Sequence, residues 1–389
     1  MASIAKRPNG KWRARYRDPD GREHARHFVR KVDAQRWLDE TTTDLVTGRY
    51  VDPAAGRTTF ETFATTWLAA QTSDVSTREA MASRVRVHLL PTFGPMELRA
   101  IRPSSVQAWL RGRSEVVSPS FVRVLLANLS SIMGAAVEDG LIHANPCAAS
   151  SVKPPALDRR RVVPWTREQV DAVTVAHPER YRAIPVVAAG LGLRQGEVFG
   201  LRVDDVDFLR RRVLVRQQVK LVKGRPMFAP PKGRKEREVP LPDVVAVALA
   251  EHLRAWPPRD VELPWRDLDG EPRTSTLVFT TREGGPIVRN HFNPYTWKPA
   301  LVAAGMEPSR ANGMHALRHY YASALLEGGV SIRAVADYLG HTDPGFTLRV
   351  YAHLMPESED RARSAVDAAL GPRADSLRTG EVGRWRSRR

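Results

Sequence analysis

The sequence predicts an α+β chain of several domains: a small basic three-stranded sheet plus a helix, a helical domain, and a mainly helical domain with one small antiparallel sheet. Three observations carry this. Apolar/cationic alternation is concentrated in the first 31 residues and again around 212–241. Helical spacing of apolar residues fills 58–145 and returns on either side of the second alternating stretch. Two breaks rich in proline and charge, "VDPAAGR" and "SSVKPPALDRRR", separate these regions. The boundaries that follow are 1–52, 57–150 and 160–370, with a basic tail over 371–389.

Within the first region, Asn9-Gly10 and Asp18-Pro19-Asp20-Gly21 are turn signals between short strands. Trp12, Ala14 and Tyr16 alternate with Lys11, Arg13, Arg15 and Arg17, so one sheet face is apolar and the other cationic. Asp33 is the expected N-cap of a helix carrying Ala34, Trp37, Leu38 and Leu45, with Gly48 at its end. In the second region one helix carries Phe60, Phe63, Trp67 and Leu68, and a second ends near "LLPTFG". A third starts around Pro103 with Val106, Trp109 and Leu110, and a fourth carries Phe121, Leu125, Ile132 and Met133. These aromatics read as core. The third region opens on Thr166 and Gln169, a capping-box pair, and runs helically to about 190. The stretches "RRVLVRQQVKLV" and "REVPLP" then alternate around a turn-rich basic segment, and helices resume from about 290 to 369.

Composition narrows the function classes. The formal net charge is +17, and residues 1–31 and 371–389 together hold 11 of those charges, which suits a polyanionic partner such as nucleic acid. No continuous apolar run reaches bilayer-spanning length, and the charged opening residues have no apolar stretch behind them, so neither a membrane span nor a signal peptide is expected. Cys147 is the only cysteine, which excludes an intrachain disulfide or a cysteine-based zinc site and fits a reducing, cytoplasmic setting.

"GMHALRHYYA" (313–322) crowds two histidines and an arginine onto one helical turn. A metal site is one reading, because His315 and His319 are four apart. Ala316 stands where a zinc protease has its glutamate, however, and Arg318 would repel a cation. A phosphate site is the better reading, since a guanidinium offers paired donors matched to two phosphate oxygens. Further chemistry of the same kind lies nearby. Arg194 follows the bend of "GLGLRQGE" at a helix start, and His341 follows Gly340, an expected left-handed cap. Tyr351 comes ten residues later.

In order and spacing, GLRxGE, HxLRH, LGH and a tyrosine ten residues on resemble the tyrosine recombinases, in particular the integrases of phages and integrative elements. The motifs cover about 160–369; the helical segment looks like that family's core-binding domain and the basic N-terminus like its arm-binding domain. The resemblance implies that Arg194, His315, Arg318 and His341 surround a scissile phosphate, that Tyr351 is the nucleophile, and that Glu197 accompanies Arg194. It points to Lys232 as the lysine of a β-hairpin turn before "VPL", with Lys235 as the alternative. It also implies that His315 helps take the tyrosine proton, that His319 is a helix residue beside the site, and that Lys11, Arg13, Arg15 and Arg17 contact DNA. No metal or cofactor is needed, because the phosphotyrosine bond conserves the energy for rejoining. The implied partners are double-stranded attachment-site DNA of core and arm type, three further copies of the chain on paired sites, a directionality factor and a host DNA-bending protein, all at the bacterial nucleoid. A type IB topoisomerase shares the chemistry without needing the basic N-terminal module. A non-catalytic DNA-binding regulator would not need six catalytic residue types.

Overall fold

In a computed structural model the chain is described over residues 2–18, 21–46, 55–157 and 163–352, and at 363, 366–367 and 369–370. Pro19-Asp20, Gly48, most of the first linker, the Arg-rich part of the second and the tail 371–389 lie outside the described residues. The chain divides into two compact units, residues 1–160 and 161–389.

Strands β1 (Ser3–Lys6), β2 (Trp12–Arg17) and β3 (Glu23–Phe28) form an antiparallel sheet in that order. Helix α1 (Lys31–Val46) packs its buried Ala34 and Leu38 with Ala14 and Tyr16, and Trp37 meets Tyr16 and Phe28. The cationic face holds Arg13, Arg15 and Arg17, and register places Ala5, Ser3, Ala25 and His27 around them. On that face Glu23 lies 3.2 Å from Arg13 and 3.6 Å from Arg15, and Arg15 donates to the Ser3 hydroxyl at 2.7 Å. Asp33 is not the N-cap. The helix starts at Lys31, so Asp33 lies inside its first turn, where its carboxylate accepts two hydrogen bonds from Arg30.

The helical region comprises α2 (Phe60–Ala69), α3 (Val75–Arg84), a π-helical turn over Val85–Leu89, α4 (Leu90–Phe93), α5 (Pro103–Ser114) and α6 (Pro119–Glu138). Its aromatics are core, with Phe60, Phe93 and Trp109 packed ring against ring. Helix α6 is long and apolar enough to cross a membrane by length and composition. Its apolar residues Val122, Leu125, Leu129, Ile132 and Met133 are buried in the helical core, which explains its composition without a bilayer.

The second unit begins with α7 (Arg167–Ala176), where Thr166 and Gln169 form the capping box, and continues through α8 (Ala183–Leu191) and α9 (Gln195–Phe199). Then come β4 (Val206–Asp207), β5 (Arg212–Val215), β6 (Gln218–Val222), β7 (Arg225–Ala229) and β8 (Arg237–Pro240). Helix α10 (Asp243–Ala255), β9 (Arg259–Pro264) and β10 (Pro272–Leu277) follow. The unit closes with α11 (Arg289–Phe292), a π-helical turn, α12 (Lys298–Ala303), α13 (His315–Glu327), α14 (Ile332–Leu339) and α15 (Pro344–Tyr351). The expected single sheet is three among the described residues, ordered β4-β5-β8, β6-β7 and β9-β10. The segment read as turns contains β7, because "RPMFA" is buried on pairing with β6 and its proline sits at a strand position. Strands β9 and β10 were not expected, although β9 alternates buried Val261 and Leu263 with exposed Asp260 and Glu262; the signal is short, and β10 shows it only at Ser275 and Leu277.

Candidate active site

Four segments of the second unit converge, and each is held by an identifiable local cause. Gly192 ends α8 in the left-handed conformation (φ 62°), and a Cβ there would lie 2.3 Å from the Tyr321 ring. Its carbonyl is turned to accept a hydrogen bond of 2.7 Å from Arg318 Nη1. Arg194, two residues on, stands at the N-cap of α9. Helix α13 begins at His315 after a loop pinned by Asn312, which accepts from Trp165 Nε1 through its side chain and from Trp297 Nε1 through its carbonyl. Gly340 caps α14 in the left-handed conformation (φ 65°), as the sequence predicts, and fixes His341 at the helix end.

These segments enclose a cavity of about 500 Å³ lined by Arg194, Lys232, His315, Arg318, His341 and Arg349, among others. Five of the six expected catalytic residues are therefore brought together around one opening. The sixth, Tyr351, is not in the cavity wall; it is 2% exposed, and its hydroxyl lies 2.7 Å from His319 Nδ1. Lys232 sits in the Pro231–Arg234 turn, which joins β7 to β8. Those strands belong to different sheets, so the turn is not that of a paired hairpin. Lys235 is absent from the lining and lies 3.9 Å from the Asp337 carboxylate.

The electrostatics are unusual for a cation-rich site. Arg318 is only 1% exposed and touches no carboxylate; it donates to the carbonyls of Gly192 and Leu339 and to His341 Nε2, the last at 3.0 Å. Burial, and then the Arg194 charge, lower its pKa to about 9, so it remains a cation at neutral pH. His341 must accept at Nε2, which leaves its proton on Nδ1 to donate to the buried Thr347 hydroxyl at 2.7 Å. Desolvation and the neighbouring cations push both His315 and His341 down to about 4, so both rings are neutral at pH 7. Burial raises the Tyr351 phenol to about 12, and Arg318 works against that.

The counter-charge comes from Glu197, which is 1% exposed. Its oxygens accept 2.6 and 3.1 Å hydrogen bonds from Arg237, and 2.9 Å bonds from the Arg194 guanidinium and backbone N–H. Burial opposes its ionisation, but the two arginines prevail and hold its pKa at about 2. Arg237 also donates to the Tyr338 carbonyl at 2.7 Å, tying the carboxylate to the end of α14. Sequence reasoning missed Arg237 and undervalued His319. The signal for Arg237 was present: it shares the inward face of β8 with Val239, where an arginine is out of place unless paired.

The chain matches the sequence model of the phage integrase family over residues 166–358. It also matches the phage integrase N-terminal domain over 2–48 and the phage integrase central domain over 60–152. It is 28% identical over 375 residues to the integrase assigned to prophage phiRv2 of Mycobacterium tuberculosis, across 93% of each chain. Two solved structures share its fold. One is the Tn1549 transposon integrase in complex with a circular intermediate DNA (TM-score 0.67, 19% identity, 80% of this chain and 99% of that one). The other is a lambda integrase tetramer bound to a Holliday junction (TM-score 0.56, 18% identity, 88% of this chain and 96% of that one).

The geometry makes Glu197 the electrostatic keystone of the site. Glu197→Gln keeps the shape but leaves Arg237 buried without a counter-charge, a loss of about 3–5 kcal/mol by the usual cost of breaking a buried pair. Because Glu197 titrates lower in the folded chain than unfolded, its stabilisation is full above pH 4.5 and disappears as pH falls through about 2. Urea unfolding across pH 3–7 should show the variant less stable and with a flatter acid slope; equal stability would remove Glu197 from this role.

Proposed function

The chain belongs to the phage integrase family of tyrosine recombinases, and on that premise we propose that it cuts and rejoins DNA site-specifically to integrate or excise a phage or mobile element. The observation that carries this reading is the cavity lined by Arg194, Lys232, His315, Arg318 and His341, with Tyr351 joined to the His315 side of it through His319. A wall that carries guanidinium groups, a lysine and two neutral histidines suits a phosphodiester.

In this reading Tyr351 attacks the scissile phosphate, an O–P bond forms, and the bond to the 5′-oxygen breaks, leaving a 3′-phosphotyrosine and a 5′-hydroxyl. Arg194 and Arg318 neutralise the non-bridging oxygens of the pentacoordinate state, where charge accumulates. Arg318 is pre-set by the Gly192 and Leu339 carbonyls, and a bound phosphate takes over the donor it now offers His341. The anion also favours protonation of the His341 and His315 rings, which then donate to it. Lys232 protonates the leaving 5′-oxygen, a role supported by its place in the lining where Lys235 has none. Rejoining is the same step reversed by a new 5′-hydroxyl, so no metal or nucleotide cofactor enters.

DNA is engaged at two further places in this reading. Lys11, Arg13, Arg15 and Arg17 lie along the open face of the N-terminal sheet and suit an arm-type site, while the helical domain suits the core site. Assembly as a tetramer on paired sites follows the lambda integrase relative of the same fold. A directionality factor and a host DNA-bending protein complete the proposal, with the bacterial cytoplasm as the setting.

Three outcomes test it. Tyr351→Phe should bind attachment-site DNA normally and form no covalent adduct with a nicked suicide substrate; an adduct mapped to another tyrosine overturns the assignment. Lys232→Ala should slow cleavage by roughly 10²–10⁴-fold, and a 5′-bridging sulfur, which leaves without a proton, should restore the rate. Failure of that rescue moves the acid elsewhere. Removing residues 1–50 should abolish arm-site binding and spare the core site. The log–log salt slope on arm-site DNA should fall by about 0.9 for every phosphate the shortened chain no longer neutralises. Unchanged arm-site affinity would make the basic sheet something other than a DNA reader.

A further inference from the structure

The Tyr351 hydroxyl has one hydrogen-bond partner among the described residues, and it is His319, at Nδ1. Residue 319 lies one helical turn beyond His315 on α13, and the two imidazole rings meet edge to face with centroids 4.7 Å apart. Tyr351 is therefore at one end of a file of three groups, and His315, in the cavity wall, is at the other. We propose that His319, and not His315, is the group that takes the proton of Tyr351 as it attacks, with His315 standing between His319 and the cavity. The proposal rests on the reading of Tyr351 as nucleophile.

In this proposal the Tyr351 hydroxyl donates and His319 Nδ1 accepts, the direction that the transfer requires. Burial keeps the phenol protonated, and desolvation together with Arg318 keeps His319 neutral. A neutral ring that accepts at Nδ1 carries its proton on Nε2. Among the described residues, the charged and titratable groups around this file are His315 and Arg318 on the same helix, His341 after α14, Tyr351 on α15, Arg194 before α9 and Lys232 in the β7–β8 turn. No described carboxylate contacts His319, and in this proposal the arriving phosphodiester supplies negative charge that stabilises its imidazolium.

The step balances. As the Tyr351 Oη–P bond forms, its proton passes to His319 Nδ1; as the P–O5′ bond breaks, Lys232 gives a proton to O5′. The protein ends with one proton gained at His319 and one lost at Lys232. Transfer before attack is disfavoured, because the phenol holds its proton far more tightly than the imidazole does. Transfer during attack is favoured, because bonding to phosphorus strips the phenolic oxygen of its basicity.

Single-turnover cleavage of a nicked suicide duplex, followed from pH 5 to 9, tests this. The native chain should show an acid limb, with the rate falling as His319 protonates. His319→Asn, whose amide oxygen replaces the acceptor near Nδ1 but cannot keep a proton, should cleave on the order of 10²-fold slower and lose that limb. His319→Ala should regain rate in added imidazole. Neither variant should be rescued by the 5′-bridging sulfur that rescues Lys232→Ala, because the defect is on the attacking side. A native rate with an intact acid limb in His319→Asn, or rescue by sulfur, overturns the proposal. Faster cleavage by the variants also overturns it, since the bond would then be a restraint on Tyr351. An adduct formed by Tyr351→Phe would instead refute the nucleophile reading itself, and so the two failures are distinguishable.

Discussion

The carboxylate of Glu197 is the constraint on which the site depends. Arg194, Arg237 and Arg318 act on one another through a desolvated interior, and guanidinium groups brought together in such surroundings repel strongly. A single buried anion, accepting four hydrogen bonds from two of the arginines, offsets that repulsion. Its position inside the first turn of α9 also sets Arg194, because one oxygen takes the Arg194 backbone N–H and the other its side chain. Arg237 carries the constraint across to the Tyr338 carbonyl at the end of α14, and thereby to the turn that presents His341. One ion pair thus links three of the four segments that make the cavity.

Arg318 is arranged on a different principle. It has no carboxylate partner and is held by backbone carbonyls, which orient a cation without neutralising it. The consequence is a positive charge kept available for an incoming anion. The histidines complete this logic. Burial and the surrounding cations keep both rings neutral at pH 7. A cluster that would be unstable if every member were charged becomes tolerable, and its affinity is concentrated on the ligand.

Tyr351 shows why proximity in sequence misleads about chemistry. Helix α15 brings it against α13, where residue 319, not residue 315, faces its hydroxyl. Both histidines are on one side of the same helix, as four-residue spacing requires, yet they have different neighbours: the cavity for one and the tyrosine for the other. The four-residue spacing sets the two imidazoles edge to face, with centroids 4.7 Å apart.

Much of the architecture was legible in the sequence because it rests on local rules. Alternation around Trp12, Ala14 and Tyr16 specifies the N-terminal sheet, the Thr166–Gln169 capping box starts α7, and Gly340 ends α14 in the conformation that only glycine adopts freely. The motif spacings likewise brought Arg194, His315, Arg318 and His341 forward as one set, since each sits at or near a helix end whose signals are local. What the sequence could not decide depended on partners far along the chain. Strands β7 and β8 join different sheets because their hydrogen-bonding partners are β6 and β5. Arg237 meets Glu197 from 40 residues away, and Tyr351 meets His319 from 32. Local sequence fixes which side chains can carry charge or protons and where helices begin and end. Which of them touch is settled by packing between elements, and hydrogen bonds across that distance leave no periodicity in the chain to be read.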